Sequence, residues 1–297
     1  MLFINSFEQG KNRIINLYPE LADSCFEADN SGWTNFAIKA DNKYLFRFPR
    51  KEEAYQSIQK EYKILDILNK KLPDTIQVPK YIFSDLENDC PFVGYELIQG
   101  AFLTKELLDS LSDQKKETVI NNMAEFLNIL HAIDYQELGL APVSSIDSYQ
   151  DSYHDIQKIC FQYFDEDLKN KTIELFESYF HDKTMHRFTP TLSHGDLSED
   201  HIIVTDTGVG IIDFGDAWVF DPAFDFIWAY LCGKNFYDQL YNKYQGNKDD
   251  WFEHRIRDFH IIRIPYDGII YADEIKDSEM LNYQLQKLKN NFRNEIS

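Results

Sequence analysis

The sequence predicts an α+β fold with two lobes, a small β-rich lobe at residues 1–98 and a larger, mainly helical lobe at residues 99–297. Short runs of high strand propensity fill the first hundred residues, whereas helical periodicity dominates the remaining two thirds of the chain. The chain is 43% hydrophobic and 15% aromatic over 297 residues, which is enough to build a sizeable core in one large domain or two lobes.

In the first lobe, two strands are predicted at 35–40 and 44–48, on either side of the turn signal Asp41-Asn42. Apolar residues then recur with helical spacing, which predicts a helix over 51–70. Two more strands are predicted at 78–83 and 92–98, after prolines that end the helix.

The second lobe begins with a strongly amphipathic helix over 113–133, and further helices are predicted within 151–181. Two short apolar runs, 201–204 and 210–212, are joined by Asp206-Thr207-Gly208 and predict a small hairpin. The remainder of the chain, from Phe224 on, has a helical and aromatic pattern.

The composition excludes some classes of partner. A net charge of -20 and a pI near 4.7 argue against nucleic-acid binding, which normally requires a basic face. Such acidity can attract a cationic ligand or metal ions, or can simply keep the protein soluble. Charge alone leaves these two interpretations open.

The four cysteines, Cys25, Cys90, Cys160 and Cys232, lie far apart and form no CxxC pair, so neither a zinc site nor a disulfide framework is expected. The first residues do not have the pattern of a signal peptide, and no apolar run is long enough to cross a bilayer. We therefore expect a cytoplasmic protein with no membrane or nucleic-acid partner, acting as a monomer.

An acidic segment stands out between Phe188 and Gly233, where the sequence contains neither Lys nor Arg. Its acids are Asp196, Glu199, Asp200, Asp206, Asp213, Asp216, Asp221 and Asp225. Converging carboxylates disfavour one another's ionisation, and Mg²⁺ is a natural compensating cation. A scatter of surface acids is the alternative, but two motifs place an acid at the edge of an apolar strand.

These motifs are His-Gly-Asp-Leu-Ser-Glu-Asp-His at 194–201 and Ile-Ile-Asp-Phe-Gly-Asp-Ala at 211–217. They resemble the catalytic and metal loops of the protein-kinase-like fold. The fuller resemblance is to the aminoglycoside phosphotransferase family, above all its 2″ enzymes, and rests also on residues 44–50, 92–96 and 188–190. The similar pieces keep the family's order and cover the chain up to Asp225.

The resemblance implies a role for each matching residue of the second lobe. Asp196 would be the catalytic base and His194 would brace its loop. Asp213 would bind Mg²⁺ that bridges the β- and γ-phosphates. His201 would be a second metal ligand, although a buried, hydrogen-bonded histidine is an equal alternative on chemistry alone. Asp225 would brace the loop.

The resemblance also places the phosphate-binding residues in the first lobe. Arg47 would bind phosphate oxygens and pair with Glu61 on the following helix. The alternative is an edge-strand arginine and a solvated glutamate, but the apolar neighbours Phe46 and Phe48 favour the pair. Ser31, within the segment 30–32, would belong to the loop that covers the nucleotide, although that segment lacks a GxGxxG pattern.

The strand at 92–98 would bind the nucleotide base through the backbone of Glu96 and Ile98, with Tyr95 beside the base as gatekeeper. In the 2″ family a bulky gatekeeper accompanies the use of GTP, so GTP is expected to serve better than ATP. Either nucleotide remains possible as the phosphoryl donor.

The acceptor implied by the resemblance is a cationic aminoglycoside, bound by Asp196 and Asp216, phosphorylated at its 2″ hydroxyl and thereby inactivated as an antibiotic. Beyond Asp225 the sequence has no acid before Asp238, where several family members have acids. Trp228 and Tyr230 in that stretch suggest either an apolar wall or a packed helix.

Three alternatives stay open. A macrolide phosphotransferase shares the Arg-containing strand and a His at position 201, but usually has Ile-Asp-Trp where this chain has Ile-Asp-Phe-Gly-Asp. A housekeeping kinase of choline, thioribose or a sugar is a second alternative. A non-catalytic nucleotide-binding module is a third, from a different class of function.

Overall fold

The structure is a computed structural model that describes residues 3–29 and 34–293, so Ser31 lies outside the described residues. The chain divides into two compact units, one of residues 1–129 and 198–217, the other of residues 130–197 and 218–297. These units are defined by compactness and do not follow the boundary at residue 98. The predicted lobes, 1–98 and 99–297, remain a prediction about functional parts of the chain.

Most strands of the described chain lie in its first half. They are β1 (Phe26–Asp29), β2 (Asn35–Ala40), β3 (Tyr44–Pro49), β4 (Ile76–Gln77), β5 (Tyr81–Asp85), β6 (Phe92–Glu96), β7 (Ala101–Phe102), β8 (Thr191–Ser193), β9 (Ile202–Val204), β10 (Val209–Ile211) and β11 (Trp218–Phe220).

Helices begin near the N-terminus and dominate after residue 104. They are α1 (Phe7–Leu17), α2 (Glu52–Lys71), α3 (Lys105–Ser110), α4 (Asp113–His131), α5 (Ser145–Asp155), α6 (Glu166–His181), α7 (Ile227–Leu231), α8 (Lys234–Lys243), α9 (Phe252–Arg255), α10 (Ile261–Ile275) and α11 (Ser278–Asn291). Within the described residues, none of these helices is long and apolar enough to span a membrane.

The main sheet of the first unit has the order β1-β2-β3-β6-β5, and its neighbouring strands are antiparallel. Phe46, Phe48 and Phe92 are fully buried on one face and anchor its core. Because side chains alternate along a strand, Arg47 on β3 projects to the opposite face from Phe46 and Phe48. The alternation of the sequence therefore determines which face receives the arginine.

A second sheet of the first unit has the order β4-β10-β9-β7. Its centre is the hairpin of β9 and β10, which confirms the hairpin predicted from the two short apolar runs. Strand β10 also pairs in parallel with β4, a two-residue strand that the sequence pattern did not predict. This pairing joins residues 198–217 to the sheet-rich unit. It also fixes the position of β10 and thus the start of the segment that follows it, which contains Asp213.

Some boundaries differ from the predictions. The strand predicted at 78–83 is observed as β5, which starts at Tyr81, because Pro79 has no N–H to contribute to a ladder. The strand predicted at 92–98 ends at Glu96. The helical region predicted within 151–181 consists of α5 and α6, separated by a π-helical turn at Ile156–Cys160.

In the second unit, β8 and β11 form an antiparallel pair in which Ser193 opposes Trp218 and Thr191 opposes Phe220. The segment after β8 contains Asp196, and the segment after β11 contains Asp221. A mainly aromatic core supports this pair, and its fully or almost fully buried members are Tyr149, Phe176, Tyr179, Phe220, Phe259 and Tyr266.

Candidate active site

A buried ion pair joins β3 to α2 in the first unit. Arg47 Nη1 lies 3.0 Å from Glu61 Oε1 and 2.9 Å from Glu61 Oε2, and the Glu61 side chain is fully buried. Burial by itself would lower the pKa of Arg47, but the Glu61 carboxylate, together with the smaller effects of Tyr81, Tyr95 and Asp213, raises this pKa well above its ordinary value. The pairing expected from the sequence is therefore present, and it fixes the guanidinium.

Asp213 occupies a strained turn immediately after β10. Its φ of +65° lies in the left-handed region, which non-glycine residues seldom adopt. The fully buried Phe214 ring packs edge-on against the Phe126 ring, with 6.1 Å between the ring centroids. Ala217 N also donates a hydrogen bond to Phe214 O at 3.1 Å. Packing on the following residue thus holds Asp213 in its conformation, with 48% of its side chain exposed.

Two basic groups face the Asp213 carboxylate. Arg47 Nη2 lies 3.6 Å from Asp213 Oδ1, and His201 Nε2 lies 3.9 Å from Asp213 Oδ2. Among residues 3–29 and 34–293, no three His, Cys, Asp or Glu side chains converge as a complete metal site. A carboxylate with one neighbouring imidazole suits an ion that takes its remaining ligands from phosphate and water, as Mg²⁺ commonly does.

Helix α2 also contacts the turn that contains Asp213. Ser57 Oγ donates to Gly215 O at 2.7 Å, a contact that the sequence did not predict. Partial burial lowers the pKa of Lys60, and the charges of Asp216 and Glu61 only partly offset this effect. Arg47 and Lys60, two cations from outside the acidic segment, therefore lie near its exposed acids and offset part of their negative charge. From the sequence, Mg²⁺ alone was expected to offset this charge.

The residues expected to bind the base lie at the end of β6. Tyr95 is buried opposite Tyr81, with 5.9 Å between ring centroids, and burial raises the pKa of Tyr95 to about 12. Leu97 N donates to Lys43 O at 2.7 Å. Since hydrogen-bonding direction alternates along an antiparallel strand, the backbone groups of the preceding residue, Glu96, point away from β3.

Ile98 comes two residues after β6 and packs onto the second sheet. A Cβ at Gly210 would lie 2.5 Å from Ile98 Cγ2, so a larger residue at this position of β10 would have to displace the Ile98 side chain. This close approach ties the segment expected to bind the base to the hairpin that precedes Asp213.

In the second unit, a buried carboxylate holds the loop that carries Asp196. Asp225 Oδ2 accepts from His194 N at 2.7 Å, and Asp225 Oδ1 accepts from Gly195 N at 3.1 Å. The His194 ring is fully buried, and its Nδ1 accepts from Asp196 N at 3.3 Å. Asp225 and His194 thus brace the loop, and the φ of +84° at Gly195 requires a residue without a Cβ penalty.

The same carboxylate has a partner that sequence reasoning missed. His131, at the end of α4, places Nε2 at 3.0 Å from Asp225 Oδ2, and both side chains are almost completely buried. The only sequence signal is a histidine at the end of a long apolar stripe, which does not distinguish a brace from an ordinary core residue.

Asp221 is braced by a separate cluster. Arg255 donates through Nε and Nη2 to Asp221 and through Nη1 and Nη2 to Asp249, at 2.5 to 3.1 Å. Burial by itself would raise the pKa of Asp221, but hydrogen bonds and charge from His260 and Arg255 hold this pKa below its ordinary value. All three guanidinium nitrogens of Arg255 thus donate to carboxylates of the protein.

The first unit therefore brings together Arg47, Glu61, His201 and Asp213, and it also contains Tyr95, Glu96, Ile98 and Asp216. Asp196 belongs to the second unit, and only Leu197 separates it from Ser198, where the chain enters the first unit. Ser31, expected in the nucleotide-covering loop, lies outside the described residues.

Comparisons with known proteins bear on the family and the fold of the chain. The model of the family described as "Phosphotransferase enzyme family" (APH) matches residues 26–257. The structure of the GDP and kanamycin complex of an APH(2″) enzyme is 25% identical, with a TM-score of 0.85 over 96% of this chain and 99% of that chain.

A second similar structure is the GDP complex of wild-type aminoglycoside 2'-phosphotransferase-IIIa, which is 25% identical, with a TM-score of 0.83 over 98% of this chain and 100% of that chain. Macrolide 2'-phosphotransferase MphH from Brachybacterium faecium shares the fold at 18% identity, with a TM-score of 0.67 over 93% and 98% of the two chains. These likenesses confirm the predicted α+β, kinase-like fold.

Proposed function

This chain belongs to the APH phosphotransferase enzyme family, and from that premise we propose that it transfers the γ-phosphoryl group of GTP or ATP to a hydroxyl of an aminoglycoside antibiotic. The observation that carries the proposal is the buried Arg47–Glu61 pair beside the exposed Asp213 carboxylate. A fixed guanidinium and an open carboxylate on one unit are what a phosphate chain with its counter-ion requires.

Arg47 is assigned to the phosphates of the donor. Its Nη1 is held by Glu61. Its Nη2 lies 3.6 Å from Asp213 Oδ1, which is too long for an ordinary hydrogen bond. A phosphate oxygen would offer Nη2 a closer, charge-assisted partner. Glu61 thereby keeps the guanidinium in place before and after the nucleotide binds.

Asp213 and His201 are assigned to a magnesium ion. Asp213 supplies a half-exposed carboxylate, the ligand type that Mg²⁺ prefers, and His201 stands beside it. When bound, the ion would neutralise charge on the phosphate oxygens.

Asp196 is assigned to the hydroxyl proton of the acceptor. Asp225 holds the backbone at His194 and Gly195, so the aspartate two residues after His194 has a fixed position from which to orient that hydroxyl. An acidic side chain is also suited to the ammonium groups of an aminoglycoside.

Asp216 is the second acid assigned to a cationic acceptor, and its side chain is exposed. Trp228 does not offer a stacking wall, because it is buried against Phe236 with ring centroids 5.4 Å apart. The absence of acids in α7 is the one observation that favours a macrolide acceptor, which needs fewer anionic contacts than an aminoglycoside.

A panel assay tests the proposal, with aminoglycosides and macrolides each supplied with GTP or ATP. We expect transfer to aminoglycosides, more efficiently from GTP. Transfer to macrolides alone would overturn the acceptor, and better efficiency with ATP would overturn the donor preference. Asp196→Asn should lower kcat by about 10²- to 10⁴-fold and leave nucleotide affinity unchanged. Nucleotide binding without transfer to any acceptor would favour a binding module.

A further inference from the structure

A chain of buried hydrogen bonds reaches the catalytic loop from the end of α8. Tyr244 Oη lies 2.7 Å from His131 Nδ1, and His131 Nε2 lies 3.0 Å from Asp225 Oδ2. Tyr244 is 1% exposed, and the His131 and Asp225 side chains are exposed by 1% and 0%. Removing any member would leave a buried polar group without its partner.

The direction of each bond is set by the chemistry of the groups. The Asp225 carboxylate already accepts from His194 N and Gly195 N, and as a carboxylate it accepts from His131 as well. His131 therefore carries a proton on Nε2, and with a single proton on the ring Nδ1 is left as an acceptor. The hydroxyl of Tyr244 is then the donor to Nδ1, and it holds the ring from the side opposite to Asp225.

The Tyr244 hydroxyl is itself held by the loop that comes after it. Burial raises the pKa of this hydroxyl well above its ordinary value, against a backbone hydrogen bond from Asn247 that lowers it. A Cβ built on Gly246 would lie 2.2 Å from Tyr244 Oη, so the loop backbone packs directly on the hydroxyl. The hydroxyl is thus confined between the loop and the His131 ring.

We propose that Tyr244 is a positioning residue for the catalytic loop, acting through His131 and Asp225 on the backbone at His194 and Gly195. The effect on turnover rests on the proposed function, in which Asp196 acts on the acceptor hydroxyl. Without the tyrosine hydroxyl, His131 Nδ1 loses its donor, so the imidazole is held from the Asp225 side only and supports that carboxylate less firmly.

The chain provides a matched control on the same part of the fold. Tyr237, on α8, is also 1% exposed, yet its hydroxyl makes no hydrogen bond to any described residue. Tyr237→Phe therefore removes a buried hydroxyl of the same kind without touching the hydrogen-bond chain.

The test is hydrogen–deuterium exchange of the peptide that contains residues 192–197, in Tyr244→Phe, Tyr237→Phe and the unaltered protein. We expect about tenfold faster exchange in Tyr244→Phe only, the scale of one lost hydrogen bond. A comparable fall in kcat, with unchanged nucleotide affinity, should accompany it. Exchange equal to that of Tyr237→Phe would overturn the proposal.

A measurement on the unaltered protein does not depend on whether the variant folds. Nitrogen-15 NMR of His131 should show protonation on Nε2 alone, and a proton on Nδ1, with or without one on Nε2, would overturn the proposal. Neither exchange nor NMR requires turnover. If the protein transfers no phosphate, the proposed function fails while these two results still decide the role of Tyr244.

Discussion

Two pairs of aspartates within thirteen residues of sequence have opposite surroundings. Asp213 and Asp216 come after β10 with exposed side chains, whereas Asp221 and Asp225 come after β11 with side chains exposed by 1% and 0%. The buried pair is saturated by donors of the protein, and the exposed pair is only approached by cations. A carboxylate that must bind a ligand keeps lone pairs available to accept new bonds, whereas the lone pairs of a carboxylate that braces a loop are already occupied by donors of the protein.

The arginines that face these acids differ in the same way. Arg255 is fully buried and donates through all three guanidinium nitrogens to Asp221 and Asp249. Arg47 binds Glu61 closely and stands farther from Asp213. The contrast separates an arginine that stabilises the fold from one that we propose to bind phosphate.

The largest expected effect is the loss of turnover when Asp213, a member of the exposed pair, is replaced. Asp213→Asn should lower kcat on the order of 1,000-fold, because the ligand for the counter-ion of the phosphates is lost. The melting temperature should not change, because the side chain is half-exposed. Steady-state kinetics and thermal melting measure both. A fall in melting temperature that matches the loss of activity would place Asp213 with the braces.

The next effect is on stability at the buried pair. Arg255→Met should lower the free energy of unfolding by about 3–5 kcal/mol, because the buried Asp221 carboxylate loses its guanidinium partner. The matched control is Arg257→Met, whose pair with Asp258 is 38% and 41% exposed and should cost less than about 1 kcal/mol. Urea denaturation compares the two, and equal losses would contradict the contrast between buried and exposed pairs.

A smaller effect is expected from acidification. Burial lowers the pKa of His260 below its ordinary value of 6.5, against the hydrogen bond and charge of Asp221. As pH falls below 6.5, the unfolded chain therefore binds a proton that the folded chain resists, and stability declines by at most about 1.4 kcal/mol per pH unit. Asp221, with its lowered pKa, contributes stability above pH 3.8 and loses it only as pH falls further.

Thermal melting between pH 7.5 and pH 5 measures this dependence, with His260→Gln as the comparison. The variant should show a flatter profile over that range, because glutamine does not titrate. An identical slope in both proteins would show that His260 does not contribute to the pH dependence.

The smallest effect is expected at Asp216. Asp216→Asn should raise the KM for a cationic acceptor by about two- to fivefold, since an exposed ion pair contributes little. The control is Asp206→Asn, another exposed acid, in the turn between β9 and β10. If both variants raise KM equally, only the overall charge matters and Asp216 is not a specific acceptor contact.

Several features of the fold could be predicted because their signals are local. The hairpin of β9 and β10 is indicated by two apolar runs around a turn, and α2 by its apolar spacing. Strand β4 could not be predicted, because two residues carry no periodic pattern and its parallel partner is distant in sequence. The pairing of Arg47 with Glu61 was predicted through a family resemblance, and no local rule implies it.

The braces of the loop that carries Asp196 were predicted only in part. Asp225 was expected to brace it, but His131 and Tyr244 were not identified. His131 is separated from Asp225 by 94 residues and from Tyr244 by 113 residues. Nothing in the sequence of α4 or α8 distinguishes these side chains from their core neighbours, since each looks like an ordinary buried ring until its partner is known.

The sequence by itself determined the α+β class, the family, the main strands and helices with a clear local pattern (β2, β3, β6, α2, α4 and the hairpin of β9 and β10), and the concentration of acids between residues 188 and 233. Tertiary structure decided which of those acids are exposed and which are enclosed. It also supplied Arg47 and Lys60 to a segment that contains no Lys or Arg of its own. The physical reason is that strand and helix signals arise from neighbouring residues, whereas burial and ion pairing depend on donors that folding brings from distant parts of the chain.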